Sequence, residues 1–295
     1  MHAVSAASPL PGGPSFKAYE IEELIDVYFF RRLGFVVARA AQVLGLSPNA
    51  VSVISGVAGM TGGMLLVSDR WVALGVALIV SHGVFDSADG QLARLTGRTS
   101  ELGRLLDGVS DYVTNVAAYV AIIVRMISSG GSRWGIAVGV LAGVATVVHA
   151  QLYDYHRGTY TDIVINGTVR PPAPFVARGA SGVNAFMTGY ERLLRRLAGA
   201  HPAIEAVIAD RATGGVPREG DRRRYRARFY RLVRGWNLFG DNVRRYAFCV
   251  FAWLHRLEWF FGFILVPLSL AFAAMWIWQW RVDQKFLAEL QNPGT

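Results

Sequence analysis

Residues 82–111 read HGVFDSADGQLARLTGRTSELGRLLDGVSD, and four aspartates, Asp86, Asp89, Asp107 and Asp111, stand where one apolar stretch ends and the next begins. A charged aspartate at the centre of a membrane helix costs roughly 2.5–3.5 kcal/mol on insertion scales, and less near the interface. Four of them in so short a stretch need compensation, which marks a functional site. On a helix, positions i, i+3 and i, i+4 share a face, so Asp86 and Asp89 point one way and Asp107 and Asp111 do likewise. Gly90, Ala93 and Gly103 continue those faces with little bulk. Two such faces on antiparallel helices describe a negative, roomy cavity. Like charges this close repel or share protons unless a cation holds them. All-oxygen donors suit hard ions such as Mg²⁺, Mn²⁺ or Ca²⁺, and four carboxylates have room for two.

Outward from that stretch the chain is apolar. Of 295 residues 53% are hydrophobic and 17% charged, with a mean hydropathy of +0.32. That excludes a soluble globular enzyme and a disordered or collagen-like chain. Several runs approach the 20 residues that cross a ~30 Å hydrocarbon core. The expected fold is all-α, a polytopic membrane protein of about six transmembrane helices behind an N-terminal amphipathic surface helix. A single cysteine, Cys249, rules out an intramolecular disulfide framework and a multi-cysteine zinc site, and reads as inert packing.

The pattern divides the chain into four parts. Residues 1–45 are a polar tail and a juxtamembrane amphipathic helix, with Ile21, Leu24, Ile25, Tyr28 and Phe29 at helical spacing; a soluble packing helix is the alternative. Arg31-Arg32 does not open an export signal, because Arg39 breaks the apolar run and no small-residue cleavage site follows. Residues 46–155 hold the first four spans and the acid motif: 49–68, opened by Ser47 and Pro48, then 71–93, 104–128 and 132–155. Residues 156–245 form a basic insert with 17 arginines and no lysine against seven acids. By the positive-inside rule it lies in the cytoplasm. Helices are expected there at 185–198 and 222–234, with loops at 166–182 and 212–221, and retention plus anionic-lipid contact explains the arginines. Residues 246–295 are read as two more spans turning near 255–260 and a tail from 281. Trp276, Trp278 and Trp280 fit an interfacial belt. The spans argue against nucleic acid as the partner of the basic segment despite a pI near 10.

Asp86, Asp89, Gly90, Ala93, Arg94, Gly103, Asp107 and Asp111 fill every fixed position of D-x2-D-G-x2-A-R-x8-G-x3-D-x3-D. The chain thereby resembles the CDP-alcohol phosphotransferase family, more loosely over about 20–155. The resemblance implies a six-helix membrane enzyme of phospholipid biosynthesis, usually a homodimer, working at the cytoplasmic interface of a bacterial or archaeal membrane. A substituted phosphoryl group would pass from a CDP-alcohol to a hydroxyl acceptor, and CMP would leave. The four aspartates would hold two Mg²⁺ or Mn²⁺ ions, with Asp111 also the base for the acceptor hydroxyl. Gly90, Ala93 and Gly103 would let the nucleotide approach, and Arg94 would support phosphates.

Other residues carry two readings each. Asn49 is either part of a helix start or a contact to the nucleotide. Arg157 binds an acceptor phosphate or only anchors a helix end. His82 satisfies a neighbour's hydrogen bond or is a ligand. The leading substrate pair is CDP-diacylglycerol with an inositol phosphate. The alternative is a soluble donor, such as CDP-ethanolamine, CDP-choline or CDP-inositol, with diacylglycerol or ceramide as acceptor. A cation transporter is a third reading, weakened because all four acids lie toward one membrane face.

Overall fold

The computed structural model describes residues 18–130, 134–169 and 193–292; among these there is no β-strand, only an isolated bridge between Thr213 and Val216. The helices are α1 (Arg31–Val43), α2 (Pro48–Leu65), α3 (Val72–Thr96), α4 (Glu101–Ser128), α5 (Trp134–Tyr160), α6 (His201–Asp210), α7 (Glu219–Trp236), α8 (Asp241–Trp253) and α9, the long run Trp259–Gln291. The described residues form two compact units: 18–146 (less 131–133) with Asp241–Pro267, and 147–169 and 193–240 with 268–292.

Among the described residues four helices are long and apolar enough to cross a membrane: Asp69–Thr96, Glu101–Ser128, Trp134–Asn166 and Trp259–Gln291. At 1.5 Å per residue each exceeds the ~30 Å core. Two expected spans differ. The first is the 18-residue α2, which is not among the four because glycines and serines dilute its apolar content. The stretch 246–280 does turn near 255–260, at His255 with φ 53°, but the piece before the turn is the 13-residue α8. Residues 281–291, expected as tail, continue α9 as helix.

In the first unit α2 is the hub, packed against both α3 and α4. It begins where Ser47 Oγ accepts the Ala50 N–H at 3.2 Å with Pro48 in the first turn. A Cβ on Gly62 would lie 2.7 Å from the Gly75 carbonyl oxygen of α3, and one on Gly59 would lie 2.0 Å from Thr114 Oγ1 of α4. The missing side chains let three backbones meet, the small-residue packing typical of membrane helices. α3 stops at Gly97 (φ 66°), and α4 starts at Ser100, whose Oγ accepts the Gly103 N–H at 2.9 Å. α1 packs on α3 through Gly34, Ala38 and Ala41 and exposes Leu33, Val36 and Val43. Phe248 of α8 stacks on Phe260 at 4.0 Å.

In the second unit the helix expected at 222–234 is α7, and α6 was not expected. Tyr225, Phe229, Leu232, Val233 and Trp236 form the buried face of α7, while Arg223, Arg224, Arg231 and Arg234 are exposed. His201 of α6 ties α7 to α9, 2.8 Å from the Tyr225 hydroxyl and 3.0 Å from Asp283. Burial, then the charge of Glu205 and the neighbouring Tyr155 and Asp283, pushes the Tyr225 hydroxyl well above its usual range. The helix expected at 185–198 falls partly outside the described residues; 193–197 are helical.

Candidate active site

The acids of α3 and α4 converge beside α2. Asp86 and Asp107, one from each helix, lie side by side, and Asp89 and Asp111 lie within electrostatic reach of Asp86. α2 supplies the neutral partners. Ser52 Oγ donates to buried Asp89 at 2.5 Å. One turn on, Ser55 Oγ lies 2.8 Å from His82 Nδ1, and His82 Nε2 lies 3.0 Å from Asp111 Oδ1. Each acid-bearing helix is therefore tied to the α2 hub.

Gly103 and Gly90 each have polar side-chain atoms close by. A Cβ on Gly103 would come within 2.9 Å of Asn49 Oδ1 and 3.1 Å of Ser100 Oγ. Asn49 thus stands at the junction of α2 and α4, where it accepts a hydrogen bond from Ser100 at 3.4 Å. Above Gly90 the nearest atom is the Arg94 guanidinium, 3.5 Å from where a Cβ would be. Arg94 is half-buried near Arg31, Glu22 and Asp89, and Ala93 is half-buried beside it. Arg157 belongs to the second unit, where it donates to the Tyr153 hydroxyl and lies 5.6 Å from that ring.

Two arginines that the sequence reading assigned to the end of the basic insert join the site. Arg244 and Arg245 of α8 line a cleft with His82, Asp111, Asn115 and Asp241. Arg244 pairs with Asp241. Arg245 lies 5.4 Å over the Phe30 ring and within electrostatic reach of Asp241, Asp86 and Asp111. The only sequence signal is a pair of arginines heading an apolar run, which reads equally well as a membrane anchor. Ser52 and Ser55 were also missed; their signal is a serine pair at i, i+3 in an apolar helix.

Among the described residues no three His, Cys, Asp or Glu side chains are already set to coordinate a metal. The donor chemistry nevertheless fits a hard divalent cation: four carboxylates within electrostatic reach of one another, with one guanidinium nearby.

Residues 45–180 match the CDP-alcohol phosphatidyltransferase family. This chain carries a CDP-alcohol phosphatidyltransferase domain. The chain is similar to phosphatidylinositol phosphate synthase of Mycobacterium marinum (strain ATCC BAA-535 / M), 27% identical over 53% of this chain and 67% of that one. It is 31% identical to CDP-diacylglycerol–serine O-phosphatidyltransferase of Mycobacterium leprae (strain TN), over 50% of this chain and 49% of that protein. A phosphatidylinositol phosphate synthase of Streptomyces avermitilis is 27% identical over 48% of this chain and 60% of its own length. The chain therefore spans about half to two thirds of these relatives. No solved structure matches it. Both acid-bearing helices and their α2 hub fall inside the phosphatidyltransferase domain, whereas Arg244 and Arg245 fall outside it.

Proposed function

We propose that the chain transfers the phosphatidyl group of CDP-diacylglycerol to a hydroxyl of an inositol phosphate and releases CMP. The observation that carries this reading is the convergence of Asp86, Asp89, Asp107 and Asp111 inside the family domain. Similarity to a phosphatidylinositol phosphate synthase and to a CDP-diacylglycerol–serine O-phosphatidyltransferase favours the lipid as donor. Divalent ions bound across the carboxylates would neutralise the diphosphate and stabilise the attacking and leaving oxygens. Asp111 takes the acceptor hydroxyl's proton as the new oxygen–phosphorus bond forms, and the bond to CMP breaks with its electron pair leaving on CMP. Arg94 can grip two phosphate oxygens at once. Gly90, Ala93 and Gly103 leave room for the nucleotide, and Asn49 faces it at the helix junction. Arg245, on the Asp111 side of the cleft, supplies charge for an acceptor phosphate, with Arg157 as the alternative partner.

A serine acceptor is the second reading, favoured by the 31% identical relative. A homodimer with a cytoplasmic site completes the proposal; the 18-residue α2 would supply a further crossing, and α1 would lie on the membrane surface.

CMP release from the purified chain in lipid tests it. CDP-diacylglycerol is paired with inositol phosphate or with serine, and soluble CDP-alcohols with diacylglycerol, each with Mg²⁺, Mn²⁺ or chelator. The expected result is release with inositol phosphate that chelator and Asp111→Asn both abolish. Release only with a soluble donor would reverse donor and acceptor, and none in any arm would overturn the reading.

A further inference from the structure

His82 is 2% exposed, and both its ring nitrogens are engaged. Nδ1 faces two Ser55 oxygens, the hydroxyl at 2.8 Å and the carbonyl at 3.2 Å. The Ser55 hydroxyl also has the His82 carbonyl oxygen in reach at 3.0 Å. A hydroxyl has one proton to give. When that proton goes to Nδ1, the neutral ring carries its own single proton on Nε2, and the ring is fixed from one side. On the other side Nε2 meets Asp111 Oδ1 at 3.0 Å, across from α3 to α4. Ser55, His82 and Asp111 therefore form one hydrogen-bonded chain through three helices. With both nitrogens occupied, His82 has no lone pair to offer a metal.

We infer that His82 is the positioning residue of Asp111. It pins Oδ1 of that carboxylate and so aims the other oxygen into the cleft where the acceptor hydroxyl binds. Polar groups that hold a reacting carboxylate are a large part of what makes its geometry productive. The signature itself says nothing of position 82, four residues before its first aspartate. This inference rests on the function proposed above, with Asp111 as base.

The test compares CMP release by the natural chain, His82→Ala, His82→Gln and Asp111→Asn in lipid, with CDP-diacylglycerol and inositol phosphate. Losing a hydrogen bond to a charged group corresponds to about a 10- to 100-fold change. His82→Ala is expected to lower kcat by that much at unchanged KM for CDP-diacylglycerol. Glutamine can present an N–H near the Nε2 position, so His82→Gln recovers most of the loss. A role confined to packing would predict equal defects in both variants, or a KM effect as large as the kcat effect, and either overturns the inference. So does His82→Ala turning over at the natural rate while Asp111→Asn is inactive, which leaves the proposed function intact. If Asp111→Asn turns over normally, the proposed function falls first. Should His82→Ala not fold, Ser55→Ala replaces it, since it frees the same ring from behind, and a natural kcat there overturns the inference.

Discussion

The Ser52 hydroxyl and the Asp89 carboxylate meet 2.5 Å apart with both groups buried. A buried acceptor that loses its donor costs about 1–3 kcal/mol. Ser52→Ala is therefore expected to raise the Mg²⁺ concentration for half-maximal CMP release by about 10-fold or more, and Ser52→Thr to restore it, read by titrating the metal. Gly103→Ala places a methyl 2.9 Å from Asn49 Oδ1. If Asn49 contacts the nucleotide, KM for CDP-diacylglycerol rises more than kcat falls; equal changes in both would dissociate Asn49 from binding. The four aspartates are legible in the sequence because charge in an apolar stretch is costly and their spacing fixes one face. Ser52 and Ser55 are not, because a serine in such a helix serves as readily to bond its own backbone.

α2 determines whether that geometry survives. Gly62 and Gly75 leave no space for a side chain between α2 and α3, each Cβ falling 2.7 Å from the other's carbonyl oxygen. Backbone cannot yield as a side-chain tip can, so Gly62→Val should cost at least about 1–3 kcal/mol, seen as a lower Tm in detergent. Val57→Leu, on the exposed side of the same helix, should leave Tm unchanged. α7 makes a different prediction. The Tyr225 hydroxyl holds its proton more tightly folded than unfolded, so its contribution is full below the usual tyrosine value of 10.0 and is lost as pH rises through the folded value. Tm should decline above pH 10, and the decline should be shallower in Tyr225→Phe. Helix existence is legible from apolar period and, for α2, from Ser47 as a cap. α6 is not, since its ten residues, opened by His201 and Pro202, carry too weak a pattern among so many arginines.

Among the described residues, large apolar side chains stand exposed along the helices long enough to cross a membrane. Trp276, Trp278 and Trp280 are 37–48% exposed on α9, and the Trp276 indole N–H donates to the Leu197 carbonyl at 2.6 Å. Lipids brominated near the headgroup should quench these tryptophans more than lipids brominated near the chain end; the reverse order would remove them from the interface. The composition announces a membrane protein, but not that its first unit is assembled from two distant stretches, one ending at Thr146 and the other Asp241–Pro267. Pairing over such a separation leaves no local trace. It has a temporal consequence. Asp111 is translated more than a hundred residues before Arg244 and Arg245, an interval of about 7 to 27 s at ordinary elongation rates of about 5–20 residues per second. Throughout that interval the nascent acid cluster enters the bilayer without its cationic wall, and a chain stalled before residue 241 would hold four carboxylates with no guanidinium from α8 to oppose them.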